Sequence, residues 1–206
     1  MNTTNVTTLY RIFTSAENRV AGGEGVVGVY GSLAGSSMQR IFSTMKTRCD
    51  FDVSSTFLDI GAGLGRPLLH AIYLEGVTQV QGIEIDHVKC MKAEAFADRV
   101  GMILHERNLT RTPSIIPEIV CESIEDVGTI EPATHVYSFW EGIPAHVQEK
   151  IVFLCNESTT LRSIAVVQRR VCNPHTLIGD GFALVDSFPV TMSGSRRQFV
   201  AYMYCR

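Results

Sequence analysis

Several features that define large classes of protein are missing from this sequence. No stretch approaches the roughly 18 consecutive apolar residues of a membrane-spanning helix, and no basic segment followed by an apolar one opens the chain, so no secretory signal is expected. The net charge of −3 argues against a free-standing nucleic-acid binder held by phosphate contacts. Apolar residues make up 45% of the 206 residues and charged residues 19%, a balance that excludes wholesale disorder and predicts one globular domain.

The cysteines and histidines show none of the spacings that are typical of metal sites. The six cysteines are scattered without a C-x-x-C pair, and no histidine stands at a zinc-ligand spacing from any of them. We therefore expect no metal site, free thiols and a reducing compartment.

Apolar runs alternate with helical segments from residue 56 onward. Strands are predicted at 56–60, 80–85, 118–124, 135–140 and 163–168, and helices at 38–46, 66–75, 87–100 and 144–155. This alternation is typical of an α/β fold whose sheet is mostly parallel and has helices on both faces. Strands at 182–192 and 198–205 are too close together for a parallel crossover and predict a C-terminal antiparallel hairpin. The layout is that of Rossmann-like seven-strand methyltransferases, whereas a dehydrogenase would end with another β-α unit.

A glycine-rich turn follows the first predicted strand. Gly61 permits a sharp turn, Gly63 lets a ligand approach the backbone, and Gly65 lets the next helix pack closely on the strand. Asp59 stands two residues ahead of the turn, where a carboxylate can face a positively charged amino group. Arg66 opens the helix, whose first N–H groups favour a polar or anionic group of a ligand.

The spacing of these glycines distinguishes between two adenosine-containing cofactors. A dinucleotide-binding turn has the pattern G-x-G-x-x-G, which would place its third glycine at position 66, where this sequence has arginine. The pattern G-x-G-x-G favours S-adenosylmethionine instead, with a dinucleotide as the alternative. Glu84 ends the second strand 19 residues after Gly65, and a carboxylate there can accept hydrogen bonds from both ribose hydroxyls.

The ends of the third and fourth strands supply the remaining candidates. Those for the adenine subsite are Glu122, Ser123 and Ile124. The first two can bind the adenine amino group, and the third can pack on the ring. After the fourth strand, Phe139 and Trp140 are predicted to wall a channel for the methyl acceptor, and Glu141 to bind an amine as its cation.

Several blocks, in order along the chain, resemble one family. Residues 29–33, VYGSL, are similar to a V-Y-G-E-x loop, residues 57–66 to F-V-D-L-G-S-G-V-G-Q, residues 82–84 to G-V-E, and residues 186–204 to a final hairpin. These blocks belong to the disruptor-of-telomeric-silencing (Dot-one) histone lysine methyltransferases, and the compact protozoan members resemble this chain most. The resemblance covers about residues 26–206, which we take as the methyltransferase domain, after an N-terminal extension over 1–25.

The resemblance implies an S-adenosylmethionine-dependent enzyme that methylates a lysine of a core histone of the H-three type in the nucleus. It implies that Tyr30 and Leu33 lie over the methionine end of the cofactor. It also implies that the substrate lysine, on a histone or a nucleosome, enters between this loop, residues 138–144 and Tyr202. Candidate contacts to DNA are the basic pairs Arg169-Arg170 and Arg196-Arg197.

Three departures from the family pattern keep other functions open. Ser32 replaces an acidic residue of the loop, residues 138–141 replace N-N-F-A-F after the fourth strand, and no polybasic segment is present. One alternative is methyl transfer to another protein, an RNA or a small molecule. Another is a cofactor-binding subunit without catalysis, which serves a partner.

Overall fold

The computed structural model describes residues 5–20, 31–110, 115–179, 181–193 and 197–206. The strands are β1 (Thr56–Ile60), β2 (Gln79–Glu84), β3 (Glu118–Cys121), β4 (His135–Phe139), β5 (Ser163–Gln168), β6 (Ala183–Thr191) and β7 (Gln198–Cys205). They form one seven-stranded sheet in the order β3-β2-β1-β4-β5-β7-β6. Strands β1 to β5 pair in parallel, and β7 is antiparallel to both β5 and β6. The predicted fold with its final antiparallel hairpin is confirmed.

The helices are α1 (Val6–Arg19), α2 (Gly35–Arg48), α3 (Arg66–His70), α4 (His87–Glu106) and α5 (Ala145–Glu157). A π-helical turn, Ala71–Glu75, continues α3, so the predicted helix over 66–75 is one segment of mixed geometry. Ala34 precedes α2 without a side-chain cap, and the hydroxyl of Ser37 accepts a 3.1 Å hydrogen bond from the backbone N–H of Thr191. None of the helices in the described ranges combines the length and apolar content needed to cross a membrane.

Side chains alternate along the strands, so each face of the sheet buries its own apolar layer. Helix α2 covers one face, where the ring of Phe42 lies 5.0 Å from that of Phe57 on β1. Helix α5 covers the other face, where Ile151 packs in one cluster with Val136 and Val166. A parallel sheet covered in this way leaves its strand ends as the accessible edge.

Helix α1 lies in the part of the chain, residues 1–25, that the sequence analysis assigned to an N-terminal extension. Its residue Phe13 is fully buried and packs on Phe96 of α4, with ring centroids 5.7 Å apart. The hydroxyl of Tyr10 lies 3.2 Å from Nδ1 of His70 on α3. The segment over 6–19 therefore contributes to the core of the domain.

Four of the six cysteines are paired, which corrects the expectation of free thiols. Cys49, directly after α2, is bonded to Cys205 at the end of β7, and Cys90 of α4 is bonded to Cys121 at the end of β3. Their Cα atoms lie 5.7 and 5.9 Å apart, within the range that a disulfide spans. The pairs are 156 and 31 residues apart in sequence, so only the folded sheet brings them together.

Candidate functional site

The carboxyl ends of β1, β2, β3 and β4 surround a cavity of about 300 Å³. It lies where the strand order reverses between β1 and β4, which is the usual place for a ligand in an open α/β sheet. The residues predicted from sequence that line it are Leu33, Asp59, Gly61, Gly63, Arg66, Glu84, Glu122, Ser123, Ile124, Phe139 and Glu141. Nine of the cofactor candidates therefore converge on one site, together with the acceptor candidates Phe139 and Glu141.

Three glycines shape the turn after β1. Gly61, Gly63 and Gly65 have φ angles of 82°, 57° and 79°, in the region that favours glycine. A Cβ added to Gly61 or Gly63 would meet no atom of the described residues within 4 Å, so both positions border open space in the cavity. A Cβ on Gly65 would lie 3.4 Å from Ile119 and 3.5 Å from Leu68. Gly65 therefore serves the packing of α3 on the sheet, as predicted, and does not line the cavity.

Glu84 joins the end of β2 to this glycine turn. Its Oε2 accepts a hydrogen bond of 2.7 Å from the N–H of Gly63, and its Oε1 accepts one of 2.9 Å from the N–H of Asp86. Each carboxylate oxygen has two lone pairs, so one on each oxygen is left for a hydroxyl of a ligand. The same group can hold the turn and bind a ribose diol.

Asp59 is a buried carboxyl group with no hydrogen-bond partner among the described residues. It is 1% exposed and lines the cavity. Burial raises the pKa of Asp59 well above its usual range, and the carboxylate of Glu84 raises it further. Tyr137, its neighbour in register on β4, lines the same wall. Because an unpaired buried carboxyl group is costly, Asp59 is well suited to a positively charged group of a ligand.

Arg66 carries two guanidinium nitrogens, Nε and Nη2, that are buried and have no partner in the described part of the chain. Its Nη1 pairs with Glu17 of α1 at 3.3 Å. The rings of Tyr10 and Phe13 lie 5.2 and 5.4 Å from the guanidinium carbon. Helix α1 thus holds this side chain in place, and the remaining donors can bind a carboxylate.

The residues predicted for an adenine subsite lie at the end of the cavity formed by β2 and β3. Ile124 is buried, while Glu122 is exposed. Ser123 accepts a hydrogen bond of 3.2 Å from the N–H of Glu125, so its hydroxyl proton remains available as a donor. Ile85, which follows β2, is 54% exposed although it is apolar, and it lines the same cavity. A flat aromatic ring can pack on such a surface.

The acceptor residues predicted at the end of β4 do not all lie at the cavity. Phe139 and Glu141 line the cavity, whereas Trp140 is 3% exposed and packs in the apolar layer under α5. Adjacent side chains of an extended segment point to opposite sides, so Trp140 cannot share a wall with its two neighbours. Its predicted role in an acceptor channel is therefore corrected to a role in the core.

Tyr202 is also absent from the wall of the cavity. It is 2% exposed in the same apolar layer as Trp140, and its hydroxyl accepts a hydrogen bond of 2.9 Å from the N–H of Val171. The predicted contact between Tyr202 and an acceptor is thus corrected as well. Two predicted residues, Tyr30 and Arg196, lie outside the described residues.

Cavity residues that the sequence analysis missed include Glu17, Ile85, Lys89, Glu125, Tyr137, His146 and Val147. Tyr137 had a sequence signal, since it precedes Phe139 by two residues and must share its face of β4. Glu17 had none, because its contact depends on α1 folding against α3.

No family model matches the sequence, and no curated protein matches it. Solved structures do match. The chain is similar to magnesium protoporphyrin IX methyltransferase from Synechocystis PCC 6803 with bound S-adenosylmethionine, at 14% identity over 100% of this chain and 99% of that one, with a TM-score of 0.59. The chain has the class I methyltransferase fold. An RNA methyltransferase from Salinibacter ruber in complex with S-adenosyl-L-homocysteine is 18% identical over 81% of this chain and 90% of that one, with a TM-score of 0.51.

The same fold is also found in a cyclase. The cyclase SpnF is 13% identical over 96% of this chain and 93% of that one, with a TM-score of 0.52. At such identities the similarity establishes the fold. The function has to be argued from the residues in the cavity.

Proposed function

We propose that this chain binds S-adenosylmethionine in the cavity and transfers its methyl group to an acceptor. The observation that carries the proposal is a pair of buried groups on the cavity wall that have no partner among the described residues, the carboxyl of Asp59 and the guanidinium edge of Arg66. An α-amino acid group carries one positive and one negative charge and satisfies both. Glu84 fits the ribose, and the open space at Gly63 fits the backbone contact.

The remaining walls suit attack by an amine. Bound S-adenosylmethionine supplies an electrophilic methyl group on a positively charged sulfur. An attacking amine has to be neutral, and apolar walls from Leu33, Phe139 and Ile143 favour loss of its proton because burial lowers an amine pKa. Since the leaving group needs no acid, positioning of the two reactants supplies most of the rate enhancement.

The narrower proposal is that the acceptor is a lysine of a core histone, which would place the protein in the nucleus. Its support is the resemblance of residues 57–66 and 82–84 to the Dot-one family, together with Glu141 beside Phe139 on the cavity wall. A carboxylate at that place attracts a protonated lysine before it is deprotonated. Arg170 and Arg197 remain candidate contacts to nucleosomal DNA.

One experiment tests both levels of the proposal. Radiolabelled S-adenosylmethionine is offered to the purified chain with nucleosomes, free core histones or total RNA, and Gly63→Arg is the control because its side chain would fill the open space. We expect label on one histone with the wild-type chain and none with the variant. Label on RNA alone would overturn the histone proposal and leave methyl transfer standing.

A separate binding measurement distinguishes the remaining alternative. Isothermal titration with S-adenosylhomocysteine reports the cofactor site without any acceptor. Binding without transfer to any acceptor would indicate a cofactor-binding subunit that serves a partner. Absence of binding would overturn the proposal as a whole.

A further inference from the structure

The carboxylate of Glu141 already holds a cation. Nη2 of Arg169 lies 2.6 Å from Oε1 of Glu141, and Nε of Arg169 donates to the same oxygen at 3.1 Å. The side chain of Glu141 is 18% exposed and lines the cavity, whereas the side chain of Arg169 is 72% exposed. The exposed Arg169 therefore neutralises the carboxylate of Glu141, at the end of the cavity where we place the methyl acceptor.

The two partners differ in how firmly they are fixed. Glu141 follows Trp140, whose indole is buried and whose backbone N–H donates a 2.7 Å hydrogen bond to the backbone carbonyl of Val167 on β5. Arg169 begins the loop after β5, and its long side chain is mostly in solvent. The carboxylate is thus held in place, while a guanidinium on a flexible stem can leave it at little cost.

The charge on the cavity wall favours cations in general. Its described lining contains six acidic side chains, Glu17, Asp59, Glu84, Glu122, Glu125 and Glu141, against the two basic side chains Arg66 and Lys89. Such a wall attracts a positively charged group and repels a polyanion. An acceptor cation that reaches Glu141 has to compete with Arg169, which is paired with this carboxylate in the structure.

We propose that Glu141 and Arg169 form an exchangeable ion pair at the acceptor end of the cavity, in which Arg169 occupies the place of an incoming cationic group. This rests on the proposed function of the same cavity. Arg169 is then a specificity-determining residue, because an acceptor must carry a positive charge to displace it from Glu141. A neutral acceptor of the same size gains nothing from the exchange.

The test uses n-butylammonium as the cationic probe and n-butanol as its neutral match, at constant ionic strength and with S-adenosylhomocysteine present. The Nε–Hε resonance of Arg169 in a ¹⁵N-labelled chain is identified from its loss in Arg169→Gln. We expect n-butylammonium, but not n-butanol, to shift this resonance. Removing one competing exposed ion pair corresponds to roughly a threefold gain, so Arg169→Gln should bind n-butylammonium about threefold more tightly.

Two further variants serve as controls. Arg170→Gln removes the same charge from the adjacent exposed residue and should leave the affinity for n-butylammonium unchanged. Glu141→Gln should abolish the specific shift. Equal effects of n-butanol and n-butylammonium, or equal effects of Arg169→Gln and Arg170→Gln, would overturn the proposal.

Calorimetric binding of S-adenosylhomocysteine to the same variants separates this proposal from the one it rests on. If the cofactor product binds and the Arg169 resonance does not respond, the ion-pair proposal alone is wrong. If the cofactor product does not bind to the wild-type chain, the proposed function fails first.

Discussion

Oε2 of Glu84 accepts a hydrogen bond of 2.7 Å from the backbone N–H of Gly63. The bond joins the end of β2 to the turn that follows β1, and both residues line the same cavity. The carboxylate therefore shapes the glycine turn and also faces the space where we place a ribose.

Replacing this carboxylate should weaken cofactor binding. Hydrogen bonds to a charged group contribute about 1.5–3 kcal/mol each, so Glu84→Gln should raise the dissociation constant of S-adenosylhomocysteine by roughly ten- to a hundredfold. Calorimetric titration measures this change. Glu118→Gln is the matched control, since Glu118 is an exposed carboxylate on β3 that accepts a 3.3 Å bond from Gln81. Equal weakening by both variants would contradict a specific role for Glu84.

The buried carboxyl of Asp59 should make stability depend on pH. Burial and the charge of Glu84 raise its pKa in the folded chain, so the folded state holds a proton that the unfolded state releases above about pH 3.9. Stability is therefore lost as the pH rises from that value toward the raised pKa. Without cofactor, Asp59→Asn should melt at a higher temperature than wild type at pH 8, and the difference should narrow toward pH 4. A difference that does not change with pH would argue against this explanation.

Two glycines near the cavity should respond differently to alanine. A Cβ on Gly82 would lie 2.7 Å from the Cβ of Ala62, so Gly82→Ala should destabilise the fold by about 1–3 kcal/mol. Gly63→Ala meets no atom within 4 Å and costs about 1–2 kcal/mol through its positive φ, but its methyl group enters the proposed cofactor space. Denaturant unfolding should show a loss of stability in both variants, whereas calorimetry should show a marked loss of S-adenosylhomocysteine binding only for Gly63→Ala.

Replacing Phe139 at the end of β4 and replacing Trp140 directly after it should have different effects on stability and on activity. Trp140 is buried in the core, so Trp140→Ala should lower the free energy of unfolding by about 3–5 kcal/mol. Phe139 lines the cavity, so Phe139→Ala should reduce methyl transfer with a smaller loss of stability. Denaturant titration and transfer assays on both variants measure the two effects. The opposite pattern would restore Trp140 as an acceptor residue.

Thiol counting should detect the two disulfides. Alkylation of the denatured chain without reductant should modify the two free cysteines, Cys155 and Cys172, and reduction should expose all six. Intact-mass measurement gives both counts directly. Six modified thiols before reduction would restore the free-thiol prediction.

The sequence predicted the strands well because each carries a local signal. The bounds at 56–60 and 163–168 match β1 and β5, since both strands are short apolar runs between polar residues. The meeting of Asp59, Gly63 and Glu84 at one cavity was also predictable, because they belong to a turn and a strand end whose spacing follows from the local geometry of β-α-β units. Tyr30, implied by the resemblance, stays a prediction.

The sequence by itself determined the class of the fold and the glycine turn on one side of the cavity, because both follow from local patterns. Tertiary structure decided the rest. It brought Glu17 of α1 to Arg66, paired Cys49 with Cys205, and turned Trp140 into the core while its neighbours face the cavity. These outcomes depend on contacts between segments far apart in sequence and on which face of the sheet borders the cavity. Strand alternation indicates which side chains share a face, but no local pattern specifies which face that is.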